Sequence, residues 1–211
     1  MIAERPQTIA GVGGPSLEGA LALPPGARAG VVVCHPHPLY GGDMDNPVVL
    51  AATRACTEAG LATLRFNFRG VGDSSGTWDE GRGEQDDVRA ALTCLGQALP
   101  APARLALAGY SFGATMAASV ASAGLPLAGL ALIAPPLAMR PWQPTPALAV
   151  NGPILLVVGR ADQYCSGAAL VQLGHALPKA TVTVFDGVDH FFFAALDRLA
   201  AAVRDWAAAI S

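Results

Sequence analysis

The pattern Gly-x-Ser-x-Gly occurs twice in this chain, as Gly72-Asp73-Ser74-Ser75-Gly76 and as Gly109-Tyr110-Ser111-Phe112-Gly113. Such a pentapeptide can lift a serine hydroxyl out of a sharp turn between a strand and a helix, which is where a nucleophile becomes reachable. Context separates the two serines. Ser111 follows ARLALAG (103–109), a short apolar run, and precedes ATMAASVASA, a run of small residues suited to a helix packed close on a sheet. Ser74 follows NFRGV and leads into GTWDEGRG, which is rich in turn formers and reads as a surface turn.

A serine hydroxyl needs a base within hydrogen-bond reach, and the chain contains only four histidines. His190, in FDGVDHFFF, lies just after an apolar run and just before an expected helix. Strand ends of an open parallel sheet share one crevice, so His190 and Ser111 can meet there. The base in turn needs an orienting carboxylate. Asp162, directly after PILLVVG, is at another strand end, whereas Asp186 and Asp189 sit too near His190 in sequence to face its ring. Ser111, His190 and Asp162 are therefore the expected nucleophile, base and orienting acid. His175, near the end of a helical pattern, reads as a surface or capping residue.

His35-Pro36-His37, with Asp43 and Asp45 nearby, raises the competing chemistry of a metal site. A hydrolytic metal needs three or four protein ligands. Only His175 and His190 remain to complete a set, and His190 already has a role. No metal is expected, and His35 is expected to hydrogen-bond within its own loop.

These residues need a scaffold. Of the 211 residues, 52 % are hydrophobic and 14 % charged, so the chain can bury a sizeable core. The formal net charge of −3 argues against nucleic acid as a partner. Cys34, Cys56, Cys94 and Cys165 are scattered, with no C-x-x-C pair. No signal peptide and no bilayer-spanning run is apparent, so a cytoplasmic protein with no membrane partner is expected. Continuous apolar runs at 28–35, 61–68, 103–109, 127–135, 153–159 and 180–187 predict strands buried on both faces. Helical patterns lie between or after them at 47–59, 84–98, 112–123, 166–177 and 191–209. Segments 7–10 and 16–23 could add antiparallel edge strands. The expected fold is a single three-layer α/β domain over 1–211, with a mostly parallel sheet, helices on both faces and no cap domain.

The chain order Ser111, Asp162, His190 is the order in which α/β-hydrolases deliver a serine triad. The sequence resembles that superfamily over nearly its whole length. It is most similar to small, cap-less bacterial esterases and relatives of dienelactone hydrolase, through Cys34-His35-Pro36, through Asn67 to Ser74 (NFRGVGDS), and through Gly83 to Asp87 (GEQDD). It differs from the latter in carrying serine as nucleophile. Gln163-Tyr164-Cys165, after the acid, also departs from the more usual continuation. The resemblance implies an oxyanion hole made by the backbone N–H of Phe112 and a second amide from HPHPLYGG. Prolines carry no N–H, which leaves His37 or Leu39, with His37 where the superfamily places the donor. Tyr40 and Phe191 are expected to touch substrate, and Trp78, Met139 and Trp142 to line or rim the pocket. Glu84, Asp86 and Asp87 read as carboxylates favoured in the first turn of a helix, and Arg69 as an anchor for its loop.

The expected activity is hydrolysis of small or short-acyl carboxylic esters through an acyl-enzyme, without a cofactor and with a small-molecule ester as partner. A thioesterase or acyltransferase using the same residues, or a binding protein on a hydrolase scaffold, are the alternatives.

Overall fold

The computed structural model describes residues 2–11, 14–177 and 179–210. Among these, the elements in chain order are β1 (Arg5–Ala10), β2 (Ser16–Ala22), β3 (Ala29–Cys34), α1 (Pro47–Glu58), β4 (Ala62–Phe66), α2 (Gly83–Ala98), β5 (Arg104–Tyr110), α3 (Phe112–Ala121), β6 (Gly129–Ile133), β7 (Ile154–Gly159), α4 (Gly167–His175), β8 (Ala180–Phe185) and α5 (Leu196–Ala208). The strands form one sheet in the order β1-β2-β4-β3-β5-β6-β7-β8. β1 and β2 are antiparallel to their neighbours, and every pairing from β4 to β8 is parallel.

The continuous apolar runs become parallel strands because both faces of the sheet are covered. On β3, Val31 and Val33 point into one hydrophobic cluster and Val32 and Cys34 into the other, as the alternation of side chains along a strand demands. Helices α1 and α5 pack on the first face through Val48, Val49, Leu199, Val203 and Trp206. Helices α2, α3 and α4 cover the second through Val88, Leu92, Met116, Leu170 and Leu173. Each fully buried aliphatic side chain contributes about 1.5–3 kcal/mol.

Two helices start where local chemistry dictates. Asn46 accepts from the Val48 N–H at 3.0 Å ahead of Pro47, and Ser166 accepts from the Ala169 N–H at 3.1 Å. The last helix starts later than its pattern predicts, at Leu196 rather than 191. Phe192 takes φ +58°, so the chain turns there and cannot be helical. The three phenylalanines therefore separate. Phe192 is buried, while Phe191 and Phe193 lie in the open and stack on each other with ring centroids 5.8 Å apart.

Candidate active site

Ser111 sits between β5 and α3 with φ 55° and ψ −117°, a conformation that costs a non-glycine residue about 1–3 kcal/mol. The flanking glycines make the turn sterically feasible. A Cβ on Gly109 would meet the Gly113 carbonyl oxygen at 2.2 Å, and one on Gly113 would meet the Cys34 carbonyl oxygen at 2.3 Å. Helix α3 thus begins in contact with both its own strand and the end of β3. A serine ahead of a helix ordinarily caps it, but the Ser111 hydroxyl makes no capping bond. It lies 3.0 Å from His190 Nε2 instead.

His190 follows β8, and its Nδ1 lies 2.7 Å from Asp162 Oδ2, which follows β7. A carboxylate only accepts, so Nδ1 carries the proton and Nε2 is left to accept from the Ser111 hydroxyl. The other Asp162 oxygen accepts from the N–H groups of Tyr164 at 2.7 Å and Cys165 at 3.0 Å. His190 and Asp162 are both buried. Asp189 faces away and accepts from the Phe191 N–H, and Asp186 pairs with Arg160. The arrangement can move a proton from Ser111 to His190 while Asp162 holds the imidazole in one orientation.

The loop after β3 closes on itself. The N–H groups of Tyr40 and Gly42 donate to the His37 carbonyl, that of Gly41 to the Pro38 carbonyl, and that of Leu39 to His37 Nδ1 at 3.2 Å. The Leu39 amide is therefore spent within the loop. Among the described residues, the His37 N–H has no such partner. His35 is buried beneath the loop, with Nδ1 donating to the Pro36 carbonyl at 2.6 Å and Nε2 accepting from the Phe68 N–H at 3.0 Å. With both nitrogens engaged, burial pushes its pKa down to about 4.

Aromatic rings gather beside the elbow. The His37 ring lies 4.6 Å from Tyr40, 4.7 Å from Trp78 and 5.0 Å from Phe112. Burial and the nearby Arg140 cation lower the His37 pKa. On the opposite side, Phe191 lies 5.7 Å from the His190 ring. Tyr40 is 81 % exposed, and Leu39, Met139, Phe191 and Phe193 are also open to solvent. Trp142 is not at the rim. It donates to Ser122 Oγ at 3.0 Å, at the far end of α3, about 15 Å from Ser111 for a helix of 10 residues.

Ser74 and Asp87 differ from their sequence reading, whereas Glu84 lies in the first turn of α2 as expected. Ser74 is buried rather than in a surface turn, because its hydroxyl donates to the Asn67 carbonyl at 2.7 Å and accepts from the Glu18 N–H at 2.9 Å. Glu84 is also buried, accepting from the Asp79 and Gly81 N–H groups at 2.8 Å each. Asp87 holds Arg69 through both carboxylate oxygens, with the guanidinium over Gly83 where no Cβ would fit. Together these hold the 67–83 loop that presents Trp78.

Sequence reasoning missed Tyr110 and Tyr164. The Tyr110 hydroxyl donates to the His190 carbonyl at 3.0 Å, and the Tyr164 ring stands edge-on to the His190 ring at 4.7 Å. Tyr110 directly precedes Ser111 and Tyr164 follows Asp162 by two residues, and only three-dimensional proximity shows that both touch His190.

Residues 40–152 match the family described as alpha/beta hydrolase fold. An uncharacterized protein of Rickettsia prowazekii is 31 % identical over 198 residues, covering 90 % of this chain and 83 % of that one. An alpha-beta serine hydrolase homologue from Coxiella burnetii superposes with TM-score 0.85 at 33 % identity, covering 97 % of this chain and 98 % of that one. A protein of Xanthomonas campestris, described as an a/b serine hydrolase without lid, superposes with TM-score 0.83 at 36 % identity, covering 96 % and 92 %.

Proposed function

The chain belongs to the α/β-hydrolase family, in its group of small members without a cap, and from that premise we propose that it hydrolyses small or short-acyl carboxylic esters through a covalent acyl-enzyme. The observation that carries this reading is the continuous chain Ser111 Oγ, His190 and Asp162, with links of 3.0 and 2.7 Å.

In the proposed reaction His190 Nε2 takes the Ser111 proton as Oγ attacks the ester carbonyl carbon. The carbonyl electron pair moves to oxygen, and the oxyanion is held by the backbone N–H groups of Phe112 and His37. Those amides are in place before charge develops, which is why such donors stabilise the transition state strongly. Leu39 is set aside as second donor because its amide already serves His37 Nδ1. His190 then gives its proton to the leaving alcohol, and the C–O bond to that alcohol breaks. A water deprotonated by His190 attacks the acyl-serine, releasing the acid and returning the proton to Ser111. Asp162 stabilises the imidazolium without taking its proton.

Leu39, Tyr40 and Phe191 are open to solvent around the elbow, and an open site without a cap suits substrates whose acyl group is short. Reaction with a serine-directed fluorophosphonate tests the reading. The expected result is a single adduct on Ser111, absent from His190→Ala. An unlabelled wild-type chain would contradict it and favour a binding protein on a hydrolase scaffold.

A further inference from the structure

We propose that Tyr110 is a positioning residue for His190, acting through its hydroxyl rather than through contact with substrate. This rests on the reading of His190 as the general base.

The loop that carries His190 is held from two strands. On the side of the acid, the Ala161 N–H donates to the Val188 carbonyl at 2.9 Å, and Gly159 lets that carbonyl approach to where a Cβ would lie only 2.1 Å away. On the side of the nucleophile, the Tyr110 hydroxyl donates to the His190 carbonyl at 3.0 Å. Among the described residues, this is the one hydrogen bond that carbonyl accepts. The Tyr110 ring also lies 5.5 Å from the imidazole and stands edge-on to Phe192 at 6.3 Å. Phe192 is the residue with φ +58°, so the segment just beyond His190 is locally strained and needs external tethers to stay in place.

The geometry gives the hydroxyl a specific duty. Tyr110 immediately precedes Ser111 on β5, so a bond from its side chain to the His190 backbone ties the two reacting side chains to one rigid strand end. Tyr110 is buried, and burial raises its pKa well above the ordinary tyrosine value, with the Asp162 and Asp189 charges adding to the effect. The phenol therefore stays protonated and remains a donor. Without it, the His190 carbonyl loses its partner and the imidazole can drift from Ser111. Misplacement on the order of 1 Å can cost about a hundredfold in rate.

The test compares wild type with Tyr110→Phe, which keeps the ring and deletes the donor. Ester turnover and the far-downfield NMR resonance of the His190 Nδ1 proton are read on the same preparations. The expected result is kcat about ten- to a hundredfold lower, KM unchanged, and a resonance that broadens or moves. An unmoved resonance, or kcat equal to wild type, would overturn the inference and leave Tyr110 a core residue. Should Tyr110→Phe fail to fold, 3-fluorotyrosine at position 110 keeps ring and hydroxyl while strengthening the donor. It must displace the same resonance, and an undisplaced one overturns the inference. The resonance needs no substrate, so failure here is distinguishable from failure of the esterase reading, which Ser111→Ala decides.

Discussion

A Cβ on Gly109 would lie 2.2 Å from the carbonyl oxygen of Gly113, so strand β5 and the first turn of α3 are in backbone contact on either side of Ser111. That contact drives Ser111 into its positive-φ conformation and raises its hydroxyl towards His190. The strain is local and removable. Ser111→Gly is expected to be more stable than Ser111→Ala by about 1 kcal/mol, with both inactive. Urea unfolding of the two variants checks this, and equal midpoints would mean that the elbow stores no strain at this residue.

Asp162 accepts from two backbone amides as well as from His190. Asp162→Asn should keep the fold but present an amide that can donate towards Nδ1 and favour the wrong imidazole tautomer. A fall of about 10³–10⁴-fold in kcat with KM nearly unchanged is expected, and steady-state kinetics on one ester would measure it.

The alternation of apolar runs and helical patterns was enough to anticipate every parallel strand, because residues such as Val31 to Val33 must be covered on both faces. Ser111, His190 and Asp162 were legible for a related reason: each follows a strand, and strand ends converge. The start of the last helix was not. FFF continues an amphipathic pattern, and only the positive φ of Phe192, a product of tertiary packing, breaks it. Ser74 was misjudged as a surface residue because its burial depends on the Asn67 carbonyl and the β2 amide of Glu18, which no periodicity reveals. Tyr110 escaped notice because its partner is the backbone carbonyl of His190, which no pattern of side chains reveals.

His37 has φ −59°, a value that proline adopts without strain. His37→Pro therefore removes the proposed donor at little conformational cost, while His37→Ala removes only the side chain. His37→Pro should lose about 10²–10³-fold in kcat relative to His37→Ala. Equal kinetics for the two would reassign the second oxyanion donor.

His35 is held near pKa 4 in the fold against 6.5 for an unperturbed imidazole. A lowered histidine pKa means that the unfolded chain binds the proton first. Its contribution is complete above about pH 6.5 and is lost as pH falls from there towards 4. At about 1.4 kcal/mol per pH unit, wild type should lose about 2 kcal/mol more than His35→Asn between pH 7 and pH 5. Urea unfolding at the two pH values would show it, and parallel losses would contradict it.

The central claim is that Ser111 attacks ester carbonyls, and it is tested most directly by hydrolysis of nitrophenyl esters from acetate to long acyl chains, with wild type and Ser111→Ala side by side. Turnover by wild type that falls with chain length and drops by several orders of magnitude in Ser111→Ala is the expected result. Equal activity in both proteins, or none in either, would contradict it.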